Sequence, residues 1–251
     1  MMQKNDLYLV TGASSGIGEA IARSLHATGA RVLMTGRNEM RLERIRAELK
    51  DSLTLTCDLK NPDDVEKLAL FTEARISEHG ERLKGLVNNA GIFVREAFDT
   101  TELSVWQQQF ETNLFAPIRL TKRLAELLKS ANPSSVLNIA STLGLHPVAC
   151  TNAYSSTKAA MVSWTKTLAL EWAASAVRVN CLCPGLVDTP IHSFHGMPDE
   201  LENRRIAHAA QPLGRLGRPE DIAQAAIFLL SEKSSWTTGA VWTVDGGIHL
   251  L

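Results

Sequence analysis

The sequence predicts an α/β fold: a doubly wound domain whose parallel sheet of about seven strands carries helices on both faces. Three observations predict it. Short apolar runs alternate with longer segments of helical period along the whole chain, the pattern of a parallel sheet with crossover helices. A glycine-rich turn follows the first apolar run directly. No composition shift, linker or internal repeat divides the 251 residues, so a single domain over 1–251 is expected.

The elements follow in order. Leu7-Tyr8-Leu9-Val10 is a short apolar run ending at Thr11-Gly12, a buried strand. Ile17, Ala20, Ile21 and Leu25 recur at helical spacing, and Gly29 stops a helix over 17–28. Arg31 to Thr35 is the second strand, Met40 to Leu49 a charged amphipathic helix, and Leu53 to Thr56 the third strand. Asn61-Pro62-Asp63-Asp64 opens a helix with proline at its first position. Gly85 to Asn88 is the fourth strand. A long helix is expected from Leu103 to Leu128, kinked or broken at Pro117. Ser135 to Ala140 is strand five, Ala153 to Trp172 a helix, and Val177 to Leu182 strand six, stopped by Pro184-Gly185. Leu186 to Gly217 is irregular, with a short helix from Asp199 to Ala210. Pro219 to Leu230 is a helix, and Val241 to Val244 the last strand.

Bulk properties exclude several classes. A formal net charge of -1 carries no basic footprint for a nucleic acid. The opening MMQKNDLYLV has too short an apolar run for a signal peptide, and no stretch reaches the roughly 18 apolar residues of a membrane helix. Cys57, Cys150, Cys181 and Cys183 form no CxxC pair, which points to reduced thiols, a cytoplasmic setting and no metal site. Cys181 and Cys183 share one face of a strand. His192, His195 and His208 cluster late in the chain without an HExxH-type partner, and read as pocket-wall or surface residues.

Gly12, Ser14, Ser15, Gly16, Ile17 and Gly18 join strand one to helix one. Glycines there let the backbone approach a pyrophosphate, and the helix N-terminus offers free N–H groups to it. Such a turn suits a Rossmann-type dinucleotide site, although its spacing is not GxGxxG, and the glycines alone leave an ordinary strand-to-helix turn open. No Gly-Lys-Ser/Thr follows, so it is not a P-loop. The end of strand two reads Met34-Thr35-Gly36-Arg37-Asn38. An acid there would bind a ribose 2′-OH, whereas an arginine accommodates a 2′-phosphate. Arg37 therefore favours NADP(H) over NAD(H).

Tyr154 and Lys158 stand four apart in a helix and share a face. An ammonium beside a phenol stabilises phenolate and is expected to lower its pKa, making tyrosine a general acid/base. Ser141 ends strand five, where parallel strands line a ligand crevice, and no GxSxG elbow marks it as a nucleophile. Asn113 lies in the long helix, where spacing alone leaves a surface amide open.

Together these residues resemble the short-chain dehydrogenase/reductase family in its form of about 250 residues, from Leu7 to Gly247. TGASSGIG is similar to the family's TGxxxGxG, and Asn88-Asn89-Ala90-Gly91 to its NNAG. Asn113, Ser141, Tyr154 and Lys158 match its catalytic tetrad in order and spacing. The resemblance implies that Asp58 and Leu59 border the adenine, that Asn89, Ala90 and Gly91 line the cofactor site, and that Pro184, Gly185, Val187 and Thr189 hold the nicotinamide. It implies that Tyr154 exchanges a proton with the carbonyl oxygen and that Ser141 polarises that oxygen. Lys158 would bind the nicotinamide ribose, and Asn113 would position a relay water. Family members using NADP often carry a basic residue where this chain has Ser15, so Arg37 alone carries the NADP expectation.

The expected activity is hydride transfer between NADP(H) and a small-molecule carbonyl or alcohol. The alternatives are an NAD-dependent dehydrogenase of the same fold, a 3-oxoacyl-thioester reductase, and a non-catalytic dinucleotide sensor. The segment at about 189–217 would be a substrate lid, walled by His192, Phe194, His195 and Met197. A homo-oligomer, in the family's manner a tetramer, is expected, and Ala159, Ala160, Met161 and Trp164 suit a second interface on the Tyr154 helix.

Overall fold

The computed structural model describes residues 5–192, 205, 208–209 and 211–251. Its seven strands form one parallel sheet in the order β3-β2-β1-β4-β5-β6-β7. The strands are β1 (Asp6–Thr11), β2 (Arg31–Gly36), β3 (Leu53–Thr56), β4 (Arg82–Asn88), β5 (Ser134–Ile139), β6 (Val177–Pro184) and β7 (Val241–Val244). The order reverses between β1 and β4, which opens a crevice at their C-terminal ends.

Helices cover both faces, so the central strands carry apolar residues at consecutive positions, as in Leu7, Leu9 and Val10 of β1 and Leu86 and Val87 of β4. On one face α1 (Gly16–Ala27) and the last long helix pack together over Val10, Val32 and Met34, contributing Ile21, Leu25, Ile222 and Leu229. On the other, Leu7, Leu9, Leu33 and Leu86 meet Leu68 of α3 (Pro62–His79) and Leu120 and Leu124 of the region after Pro117. α2 (Glu39–Glu48) buries only Leu42 and Ile45, which explains its charged sequence.

The long helix is not continuous. α4 (Leu103–Phe110) passes into a π-turn, Glu111–Phe115, before α5 (Ala116–Arg123) and α6 (Ala125–Ser130). The break precedes Pro117 because its effect is felt one turn upstream. Pro117 has no N–H to give the Asn113 carbonyl four residues earlier, and the helix widens there. Strand five starts and ends one residue earlier than its apolar run suggested, so Ala140 and Ser141 leave the sheet.

α7 (Asn152–Trp172) and α8 (Pro219–Leu230) match the expected spans. The outward reading of Met161 and Trp164 does not hold. Met161 is fully buried beside Cys181 and Cys183, and Trp164 packs inward, so of that run only Ala159 is fully on the surface. Of the expected helix at 199–210, residues 205, 208 and 209 are described and helical. Phe194, His195 and Met197 lie outside the described residues, as does the side chain of His192; His208 is exposed. No described helix is long and apolar enough to cross a membrane.

Candidate active site

The turn after β1 is held from beneath. Thr11 Oγ1 donates to the Val87 carbonyl at 3.1 Å and accepts from the Asn89 and Ala90 N–H groups at 2.9 and 3.1 Å. The Asn89 amide donates to the Thr11 carbonyl at 2.8 Å. β1 and β4 are thereby locked at the switch point, and Gly12 comes so close that a Cβ would stand 2.9 Å from Ala90 Cα. Gly12 and Gly16 also have φ of +65° and +59°, the left-handed region that favours glycine. Gly18 behaves differently from its neighbours. It does not line the groove, and a Cβ there would meet the Asn89 amide at 2.4 Å, so it serves close packing of α1 behind the turn.

A groove of about 630 Å³ runs from this turn along the strand ends. Gly12, Ser14, Ser15, Gly16 and Ile17 form its middle. Arg37, Asp58 and Leu59 stand at one end, joined by Asn38, Arg41 and Lys60, which the sequence pattern did not single out. The Asn38 side chain caps α2 by accepting from the Arg41 N–H at 2.9 Å, and Arg41, in the first turn of that helix, lines the groove. Neither Arg37 nor Arg41 has an ion-pair partner among the described residues. Asn89, Ala90 and Gly91 form one wall, and Pro184, Gly185, Val187 and Thr189 close the far end with Pro190 and Ile191. Gly185 has no room for a side chain, because a Cβ would lie 2.6 Å from Asp245 Cβ.

Ser141, Tyr154 and Lys158 meet at that far end. Ser141 follows β5 in extended conformation, and its Oγ accepts from the Leu143 N–H at 3.1 Å, which leaves its own proton to donate. Tyr154 is in the first turn of α7, buried, with Phe93 edge-on at 4.7 Å. Lys158 Nζ donates to the Ile139 carbonyl at 2.9 Å and lies 5.6 Å from the centre of the Tyr154 ring.

The electrostatics differ from the expectation for an ammonium beside a phenol. Burial pushes the Tyr154 hydroxyl up to about 12, and the Ser141 hydrogen bond offsets this only in part. Burial also brings Lys158 down to about 8, with Cys181 and Cys183 opposing. Desolvation outweighs charge here because the ammonium is occupied by a backbone carbonyl and is itself taken out of water. In this state the tyrosine is a neutral phenol, a proton donor.

Asn113 is not a surface amide. It is fully buried in the π-turn, where its Oδ1 accepts from the Ile92 N–H at 2.8 Å and its Nδ2 donates to the Ile92 carbonyl at 2.9 Å. The side chain clamps the loop segment after Gly91. Beneath the site, Asn88 donates to Thr121 Oγ1 and to Asn138 Oδ1 at 3.0 and 2.8 Å, tying β4 to α5 and β5.

The family model described as "Enoyl-(Acyl carrier protein) reductase" matches residues 12–249. Nodulation protein G of Rhizobium sp. (strain N33) is 36% identical over 246 residues, covering 97% of this chain and 96% of that protein. The L-fucose dehydrogenase of Bos taurus is 36% identical over 246 residues, covering 96% and 88%. Among solved structures, the 3-ketoacyl-(acyl-carrier-protein) reductase of Brucella melitensis complexed with NADH superposes with a TM-score of 0.87 at 32% identity, covering 97% of this chain and 98% of that one.

Proposed function

Because the chain belongs to the short-chain dehydrogenase/reductase family, and so to oxidoreductases acting on a CH–OH or C=O group, we propose that it transfers a hydride between NADP(H) and a carbonyl/alcohol substrate, with Tyr154 as general acid/base. The convergence of Ser141, Tyr154 and Lys158 at the closed end of the groove carries this reading.

The residues fit a dinucleotide. The left-handed glycines of the turn, the α1 N-terminus and the unpaired Arg37 and Arg41 form a continuous lining for phosphates and riboses. Arg37 and Arg41 together supply two positive charges where a 2′-phosphate would sit, and no acid precedes them on β2. When bound, the cofactor supplies or accepts the hydride. Tyr154 donates its phenolic proton to the carbonyl oxygen in reduction and recovers it in oxidation. Ser141 gives its hydroxyl hydrogen to the same oxygen, so charge developing there meets two placed donors. Lys158 would hold a ribose hydroxyl of the bound cofactor, and Asn113 fixes Ile92 in the groove wall.

An NAD-linked dehydrogenase of the same fold is the second reading, favoured by the NADH bound to the Brucella melitensis relative. The acyl-carrier-protein reductases among the relatives extend it to 3-oxoacyl thioesters. Exposed Phe98, Leu103 and Phe115 beside Trp106, and the Phe228–Trp242 edge contact on α8 and β7, support a homotetramer with two apolar interfaces. The unpaired cysteines support a cytoplasmic setting.

Parallel fluorescence titrations with NADPH and NADH test the cofactor. NADPH is expected to bind at least about tenfold tighter, and an Arg37→Ala, Arg41→Ala double variant to lose that margin, one to two charge-assisted contacts being at stake. Tighter binding of NADH by the wild type would overturn the assignment. A panel of ketones, aldehydes, 3-oxoacyl thioesters and sugars, followed by NADPH oxidation, tests the reaction.

A further inference from the structure

Past the nicotinamide end of the groove, three chain segments are tied into one rim at the C-terminal ends of β5, β6 and β7. Thr142, next to Ser141, donates its hydroxyl to the Pro184 carbonyl at 3.3 Å. His146 closes the same turn, its N–H donating to the Thr142 carbonyl at 2.8 Å. Gly185 gives its N–H to Val244 at 3.2 Å and abuts Asp245. From Asp245 the chain turns through two left-handed glycines to His249, whose ring lies 5.8 Å from that of His146, centroid to centroid.

His249 is not a free surface imidazole. Asp245, its side chain only 5% exposed, accepts from the Gly247 and His249 N–H groups at 3.1 Å each and from His249 Nδ1 at 2.5 Å. A carboxylate only accepts hydrogen bonds, so Nδ1 carries a proton and Nε2 is the ring's open position. No hydrogen bond to Nε2 is made by the described residues, and the side chain remains 25% exposed. The carboxylate has thus fixed the ring's orientation with its Nε2 edge open.

Its position gives it a use. Ser141 and Tyr154 line the groove, while His146 and His249 stand outside that lining, across Gly185 from it and toward β7, away from Arg37. We propose that the Asp245–His249 dyad, with His146 beside it, recognises a substrate hydroxyl remote from the reacting carbonyl, so that the preferred substrates are hydroxylated ketones or aldehydes of polyol or sugar type. This rests on the reading that Ser141 and Tyr154 work on a carbonyl oxygen. A hydroxyl both donates and accepts, so it pairs with Nε2, and an analogue without it leaves that ring edge unpaired against the substrate.

The test compares 4-hydroxycyclohexanone with cyclohexanone and 4-oxocyclohexanecarboxylate under NADPH oxidation, in the wild type and in His249→Phe, His249→Gln and His146→Phe variants of matched thermal midpoint. The wild type is expected to favour the hydroxyketone over cyclohexanone by about tenfold in kcat/KM, mostly through KM. His249→Phe brings the ratio near one, and His249→Gln, which retains an acceptor, keeps part of it. A ratio unmoved by His249→Phe overturns the proposal. So does a wild-type preference for the carboxylate, which would mark the rim as an anion site. Calorimetric binding of cyclohexane-1,4-diol and cyclohexanol in the presence of NADP+ reads the same preference without turnover. Diol preference with no carbonyl reduced would sink hydride transfer and leave the recognition site standing; equal binding of the two alcohols would sink the site.

Discussion

Lys158→Met should stabilise the protein at neutral pH while abolishing its turnover. Lys158 is 3% exposed, and burial brings its pKa from 10.5 to about 8. In the unfolded chain the lysine keeps its ordinary value. Between about pH 8 and 10.5 the unfolded state therefore binds the additional proton, and wild-type stability rises with pH across that window. Below pH 8 both states are protonated and the penalty is constant. A fall from 10.5 to about 8 corresponds to about 3 kcal/mol. Against this, the variant leaves the Ile139 carbonyl without its 2.9 Å donor, which costs about 1–2 kcal/mol. The net expectation is a variant more stable by about 1–2 kcal/mol at pH 7, or several degrees in Tm for a chain of this size. That advantage disappears by about pH 10.5, where the wild-type lysine is neutral in both states. The titration of Tyr154 is common to both proteins and cancels. Urea unfolding of both at pH 7 and pH 10, without cofactor and at fixed protein concentration, measures the difference. A variant no more stable at pH 7, or a difference that does not change with pH, would refute the idea that desolvation dominates this site.

Tyr154→Phe should lower turnover at least about 100-fold with NADPH affinity retained, read from steady-state rates and fluorescence titration; undiminished turnover would remove the acid/base role. In the wild type, reductive kcat/KM should hold through neutrality, because the Tyr154 phenol stays protonated up to about 12. It should then bend downward above about pH 8 as Lys158 loses its charge. Asn113→Ala removes both hydrogen bonds to Ile92 and should cost about 2–3 kcal/mol in urea unfolding. Gly12→Ala, at φ +65° and facing Ala90 Cα, should lower both stability and cofactor affinity, the latter by more than Gly80→Ala, where a Cβ meets open space.

The alternation of strands and helices was legible because the central strands are buried on both faces. Such strands carry consecutive apolar residues, as in Leu7-Tyr8-Leu9-Val10, and their crossover helices keep a helical period. The glycine turn, Ser141 and the Tyr154–Lys158 pair were legible for a related reason: backbone approach and one-turn spacing are local demands written in adjacent residues. Arg41 was less visible. Its route into the groove depends on how Asn38 caps α2, and the neighbouring arginines form salt bridges with Glu19 and Glu43 instead. The outward placing of Met161 failed because α7 has apolar neighbours on more than one side, and periodicity does not say which side is covered.

By itself the sequence determined the sheet, the glycine turn and the one-turn spacing of Tyr154 and Lys158, since each depends on residues close together in the chain. Tertiary structure decided what those residues are in their surroundings. It turned the lysine–tyrosine pair into a desolvated phenol and a depressed ammonium, because burial is a sum over every element packed around them. It turned Asn113 inward at a π-turn set by Pro117. It also brought His146 from the end of β5 beside His249 from the end of β7, a meeting set by strand order and not by any spacing along the chain.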